Sequence, residues 1–514
     1  MLRPLPQTIP HAVAAAGARW GDAVAVIDAG ESWSFADLSR HCRAGAAAMM
    51  AAGISAGDRV AIWAPNCREW IVAAVGAMTV GAAIVPLNTR LKGHEAADIL
   101  RRTSARLLVT MGEFLGTDYP ALLAGEALPS LDHTICIDRE WDDFLASGAA
   151  IAQTAIDAAM AGIGPDTISD IMFTSGTTGS PKGVLMTHGR IIPQFGTWIE
   201  NTGLSAGERY LIVNPFFHSF GMKAGWVACI LAGAVIVPMP MFDVDAVIAA
   251  IEQHRISFLP GPPTIFQGLL AAHEKAPFNL SSLRGGTTGA AVVPPVLIER
   301  IRAELGMADI ITAYGMTECT NITGCRRGDP ADRIATTCGV AVAGNELLIV
   351  DEEGQPLPVG EAGEIWVRGP GVMLGYVDDP VATAEALDAA GWLHTGDVGR
   401  LDDAGYLAIT DRKKDMFITG GFNVYPAEVE KLLLRHPGVA EVAVIGVADE
   451  RMGEVGTAFV VLRAGSAATA RELGQWCRTE MANYKVPRRI EIVARLPVNA
   501  AGKVLKDELR RLAV

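Results

Sequence analysis

Cysteine is sparse in this chain and never closely paired. The eight cysteines, at positions 42, 67, 136, 229, 319, 325, 338 and 477 of 514 residues, contain no Cys-x-x-Cys. That excludes a disulfide scaffold and the common zinc modules. Cys319, Cys325 and Cys338 form the tightest group, but spacings of six and thirteen with no accompanying histidine fit no familiar metal site. Thiols kept reduced in a cytoplasm are the expectation. Positive charge is also short, since 43 Lys and Arg face 57 Asp and Glu for a net charge of -14. A general nucleic-acid or anionic-membrane surface is therefore excluded, and any anion site has to be local. Long apolar runs are missing too. The opening Met-Leu-Arg-Pro-Leu-Pro-Gln has no secretory core. Residues 70–87 and 225–242 come nearest to a membrane span, but Gly81 and Gly233 interrupt them and each apolar run ends at a proline, Pro86 or Pro238. A helix, a glycine stop and a buried strand explain both, so no transmembrane segment is expected.

What remains is the composition of a large folded protein. Half of the residues are hydrophobic and 19% are charged, which predicts an extensive core. The length exceeds what one core serves, so two or more domains are expected. Helix-then-strand units recur, as in 37–52 before Arg59-Val-Ala-Ile-Trp63, and predict mainly parallel sheets covered by helices. Residues 346–410 are richer in strands and turns. A charged break, Asp411-Arg-Lys-Lys-Asp415, follows them.

Residues 174–183 read Thr-Ser-Gly-Thr-Thr-Gly-Ser-Pro-Lys-Gly, directly after an apolar run at 168–173 that predicts a strand. This is a polyphosphate grip. Gly176 and Gly179 let the backbone approach oxygens closely, Thr174, Ser175, Thr177 and Thr178 supply hydroxyls, and Lys182 adds a point charge. The Gly-x-x-Gly-x-x-Lys spacing matches neither the Walker loop nor the dinucleotide fingerprint.

The segment resembles the first signature of the adenylate-forming enzymes, which include acyl-CoA synthetases, aryl-CoA ligases, peptide-synthetase adenylation domains and beetle luciferase. Further motifs follow in family order from Trp33-Ser34-Phe35 to Gly502-Lys503. The resemblance implies an α/β fold: a large N-terminal domain, 1–411, of two parallel-type sheet layers plus a small β-barrel-like subdomain, hinged near Lys414 to a mobile α+β C-terminal domain, 412–514. It implies ATP, Mg²⁺ and coenzyme A as cofactors and co-substrates, and a small carboxylic acid as substrate. In Ala313-Tyr-Gly-Met-Thr-Glu318, taken as one short turn, Tyr314 and Gly315 would meet adenine, Thr317 the α-phosphate, and Glu318 would ligate Mg²⁺. Gly289, Ala290 and Ala291 would border the adenine and acyl sites. Asp397, in Trp392-Leu-His-Thr-Gly-Asp397, would accept the ribose hydroxyls with help from Arg412, although Thr-Gly-Asp is equally good turn chemistry.

Lys503 would be the catalytic cation of adenylation. Gly420 and Gly421 would line the thiol tunnel after the C-terminal domain swings. His218, within Asn214-Pro-Phe-Phe-His-Ser-Phe-Gly-Met-Lys-Ala-Gly225, would orient the substrate carboxylate; a histidine beside aromatics is as readily a core group. No aspartate sits nearby to hold an α-amino group, which argues against amino acid substrates. Within the family this segment, with Leu259-Pro-Gly-Pro-Pro-Thr-Ile-Phe266, is most similar to CoA ligases of bacterial steroid breakdown that act on a ring-bearing propanoate. Medium-chain fatty acids and aryl acids are the alternatives. An acyl-AMP ligase serving a separate carrier protein, a luciferase-like oxygenase and a homodimeric assembly stay open.

Overall fold

Short aliphatic runs that follow a glycine or end in proline become the middle strands of a covered sheet. The computed structural model describes residues 5–174, 181–289, 295–412, 415–419, 422–424, 426–449, 452–481, 483–499 and 504–513. In it, Arg59–Trp63 and Ala83–Pro86 lie parallel in the middle of a seven-stranded sheet. Its order is Gly375–Tyr376, Lys182–Thr187, Ile168–Thr174, Ala83–Pro86, Arg59–Trp63, Leu107–Thr110, His133–Cys136. The last five run parallel and the first two are antiparallel additions at one edge. A second mixed sheet runs Glu31–Ser34, Val24–Asp28, Val235–Pro238, Arg209–Ile212. Bridges at Phe258 carry it on to Gly285–Thr288 and Asp309–Met316. Both expected layers are therefore present.

The two span-like stretches resolve as read. Helix Arg68–Thr79 ends before Gly81 at φ +80° and strand Ala83–Pro86; helix Ala228–Ala232 ends at Gly233, φ +78°, before Val235–Pro238. Among the described residues no single helix is long and apolar enough to cross a membrane.

Helix Phe35–Ala51 starts at a capping box, in which the Ser34 hydroxyl accepts from the Asp37 N–H and the Asp37 carboxylate accepts from the Ser34 N–H. It packs on Arg68–Thr79 almost backbone to backbone. A Cβ on Gly76 would stand 2.8 Å from the Gly45 carbonyl carbon, so neither glycine tolerates a side chain there. Trp70, wholly buried, meets Phe216 and Trp226 edge-on, with centroids 5.5 and 6.1 Å away. This knot ties the helix of the first sheet to the segment leading out of Arg209–Ile212.

The strand-rich stretch is a four-stranded antiparallel meander, Glu346–Val350, Gly363–Arg368, Leu393–Leu401 and Leu407–Arg412. Beyond the charged break, Val439–Asp449 and Gly453–Leu462 form the long hairpin of a separate five-stranded sheet, covered by Pro426–Leu433, Ala470–Glu480 and Lys506–Leu512. That is the α+β unit expected. Its last helix begins at Lys506, just after Val504 bridges Val498.

Two predictions follow from burial. His188, at the start of helix His188–Thr202, is fully buried, and desolvation lowers its pKa to about 3. The unfolded chain takes up that proton near pH 6.5, so stability is whole above this value and falls as pH drops through the window. His188→Gln is expected to flatten the acid limb of melting temperature against pH; an unchanged limb removes His188 as its source. All eight cysteines are free, and burial pushes their thiols up, Cys319 and Cys338 to about 12 and Cys477 to about 11. A disulfide reagent at pH 8 is expected to titrate eight thiols in denaturant and few of them, slowly, in the native protein.

Candidate functional site

Adjacent strands of the first sheet carry the two ends of the sequence-predicted phosphate grip. Thr174 closes Ile168–Thr174 and Lys182 opens Lys182–Thr187, and the two are paired across the hairpin, with the Thr174 hydroxyl 3.4 Å from the Lys182 carbonyl oxygen. Ser175, Gly176, Thr177, Thr178 and Gly179 lie outside the described residues, as do Ala290, Ala291, Lys414, Gly420, Gly421 and Lys503.

Tyr376 is a site residue that motif reading missed. It sits on Gly375–Tyr376, the outermost strand, paired with Val184. The Lys182 ammonium lies 5.0 Å from its ring centroid, and its hydroxyl donates to Glu318 Oε1 at 2.9 Å. Burial first, and the Glu318 carboxylate second, push the phenol's pKa well above the usual tyrosine range, so it stays a donor. One aromatic ring thus joins the phosphate-loop cation to the carboxylate proposed for a metal.

Glu318 is 8% exposed and sits with Thr317 in the tight turn between Asp309–Met316 and Cys319–Gly324. The expected single turn over 313–318 is corrected: Tyr314 and Gly315 belong to the strand, and only Thr317 and Glu318 turn. The aliphatic, β-branched run Ile310-Ile-Thr312 extends the strand as far as Met316. Pairing slips between Tyr314 and Met316, where a Cβ on Gly315 would come within 2.4 Å of the Thr320 carbonyl oxygen, so the irregularity requires glycine.

The Tyr314 hydroxyl donates to Asp397 Oδ2 at 2.5 Å, the length of a charge-assisted bond. Asp397 is 5% exposed and lies in strand Leu393–Leu401, not in a turn. Gly396 at φ +69° kinks the strand, and the Thr395 hydroxyl accepts the Asp397 N–H at 3.1 Å while donating to the Ile365 carbonyl at 2.7 Å. Thr-Gly-Asp therefore aims a carboxylate from inside a sheet. Arg412 ends the neighbouring strand in register with Asp397. Gly289 follows strand Gly285–Thr288, where a Cβ would stand 3.1 Å from the Ala313 carbonyl oxygen. Thr174 and Lys182 of the first sheet are joined to Glu318 through Tyr376, while Tyr314 ties the strand of Gly315 to Asp397, beside which Arg412 is in register; Thr317 adjoins Glu318, and Gly289 closes on Ala313.

His218 stands apart from that network. The residue is exposed at the surface, and desolvation by the protein around it lowers its pKa below the usual histidine value. The approach to it is set by Asn66, a second residue the sequence reading passed over. From the loop after Arg59–Trp63, the Asn66 amide donates to the Ile212 and Asn214 carbonyls at 3.1 and 3.0 Å and accepts the Phe216 N–H at 2.7 Å. Pro-Asn reads as ordinary turn chemistry, so nothing local marks it. Asn66→Ala strands those groups and is expected to cost about 1–3 kcal/mol, read as a lower urea midpoint. An unchanged midpoint shows that water replaces the amide.

Residues 13–377 match the AMP-binding enzyme family and residues 428–503 the AMP-binding enzyme C-terminal domain. The chain is 48% identical over 512 residues to the 3-[(3aS,4S,7aS)-7a-methyl-1,5-dioxo-octahydro-1H-inden-4-yl]propanoyl:CoA ligase of Mycobacterium tuberculosis, covering 98% of this chain and 99% of that one. It is 47% identical over 517 residues to the ligase of the same name from Rhodococcus jostii, covering 98% of each. The crystal structure of the anthranilate CoA ligase AuaEII with anthranoyl-AMP aligns with a TM-score of 0.89 at 28% identity, covering 99% of this chain and 98% of that one. With both family segments matched in order and full-length kinship to CoA ligases, the chain belongs to the AMP-binding, adenylate-forming enzymes, among the AMP-forming acyl-CoA synthetases.

Proposed function

We propose that this enzyme joins a steroid-derived alicyclic propanoate to coenzyme A at the expense of ATP. The observation that carries the substrate is the near-full-length identity of 47–48% to two ligases named for a methyl-dioxo-octahydroindenyl propanoate. The reaction has two halves. A carboxylate oxygen attacks the α-phosphorus of ATP, the bond to pyrophosphate breaks, and acyl-AMP forms; the CoA sulfur then attacks the acyl carbon, AMP departs, and the thiol proton is released. No protein nucleophile is needed.

Residues 174–179 with Lys182 grip the phosphates, Tyr314, Gly315 and Gly289-Ala290-Ala291 border adenine, and Asp397 with Arg412 holds the ribose. Thr317 bonds the α-phosphate. The Glu318 carboxylate, one buried oxygen donor set beside Tyr376 and Lys182, suits Mg²⁺ that takes its other ligands from phosphate and water. That ion, when bound, neutralises charge on the polyphosphate. A neutral His218 has an N–H to donate to the substrate carboxylate without tying it up as an ion pair. Lys503 supplies positive charge as pyrophosphate leaves. The domain from 412 onward then turns about Lys414, withdrawing Lys503 and presenting Gly420 and Gly421 to the pantetheine arm. The reaction runs in the cytoplasm, where the thiols stay reduced.

Lys503→Ala is expected to lower acyl-AMP formation by at least about 100-fold while sparing conversion of supplied acyl-AMP with CoA; equal loss of both halves removes the assigned role. Gly421→Leu is expected to show the opposite bias, and undiminished thioester formation takes Gly421 out of the tunnel. AMP release with Mg-ATP across alicyclic propanoates, medium-chain fatty acids and aryl acids, with and without CoA, tests the substrate. The highest kcat/KM on a fatty or aryl acid overturns the alicyclic reading, and pyrophosphate release that CoA does not complete points to a carrier protein.

A further inference from the structure

The adenylation network and the His218 segment share none of the contacts described above, yet the reaction needs a carboxylate oxygen within about 3–3.5 Å of phosphorus. Among the described residues, one ion pair spans the gap. Lys223 Nζ lies 2.8 Å from Asp170 Oδ1, and both side chains are 0% exposed. Asp170 is in the middle of strand Ile168–Thr174, paired with Met186 on one side and Ile84 on the other, four residues before the phosphate grip begins. Lys223 is five residues after His218, in the π-helical segment Met222–Val227, which is kinked at Gly225. Segments of this kind recur at functional sites.

Stability does not explain the pair. Its 2.8 Å contact is off hydrogen-bond alignment, and the ammonium has no hydrogen-bond partner among the described residues. Only the far carboxylate oxygen is satisfied, by the Ser169 hydroxyl at 2.7 Å. Apolar residues of the same volume commonly replace such a pair without loss of stability. What two buried charges supply here is a fixed spacing between one strand and one helix.

We propose that Asp170 and Lys223 are positioning residues for the first half-reaction, setting the His218 helix, and so the substrate carboxylate, at its distance from the phosphate loop. Neither touches substrate. The inference rests on the adenylate-forming class and not on the identity of the acid, so it is tested with whichever acid the wild type adenylates. In the double variant Asp170→Leu/Lys223→Met, which keeps the branched shape at 170 and leaves no lone buried charge, kcat for acid-dependent ATP–pyrophosphate exchange is expected to fall on the order of 10- to 100-fold, the scale of a misplacement near 1 Å. KM for ATP, the melting temperature and thioester formation from supplied acyl-AMP are expected to stay near wild type. Exchange at the wild-type rate overturns the proposal and leaves the pair a packing feature, and so does equal loss in both halves. Should the double variant fail to fold, Asp170→Glu decides, because it keeps the charge and lengthens the tie by one methylene. A normal exchange kcat in that variant is equally fatal.

Discussion

A carboxylate attacking a triphosphate is an anion meeting an anion, and the structure is organised around that repulsion. At a separation near 4 Å two unit charges repel by about 1 kcal/mol in water and several times more inside a protein. A chain of net charge -14 offers no general relief, so cations and donors have to be concentrated at one place. In the proposed site the first sheet does this with Lys182 at the head of a strand, held over the Tyr376 ring. The turn after Asp309–Met316 adds Glu318, the oxygen donor proposed for a metal ion, and the antiparallel meander adds Asp397, each buried and each bonded to a tyrosine hydroxyl.

The scaffold makes this placement rigid at little cost in irregularity. The groups proposed to face phosphate come from strand ends or from a tight turn that joins two paired strands. Glycine is spent where backbone must approach backbone, at Gly45 against Gly76 and at Gly315 against Thr320. The hydrophobic interior, centred on Trp70, Phe216 and Trp226, fastens the loop of Asn66 to the segment that delivers His218.

Local pattern made much of this legible. Arg59–Trp63 is the strand its residues announce, and the apolar run at 168–173 needs only Thr174 added. Motif residues could be named because their chemistry is carried by neighbours in sequence. Contacts made only by topology could not. Tyr376 reaches Glu318 across 58 positions because a two-residue strand joins the edge of the first sheet. Asp170 passed as a member of an apolar run, since one carboxylate among Ile168, Ile171, Met172 and Phe173 does not disturb the period. The turn over 313–318 misled because glycine suggests a turn, whereas here it answers a ladder slip.

The burial of the cysteines has a consequence for an enzyme whose intermediate is a mixed anhydride. Acyl-AMP reacts with any thiolate it meets, and the chain holds eight thiols of its own. Every one has its pKa raised by burial, and Cys338 is held at about 12. Protonated and walled in, they are poor competitors for the acyl group. Selectivity for the thiol of coenzyme A thus begins with the enzyme's protection from acylating itself.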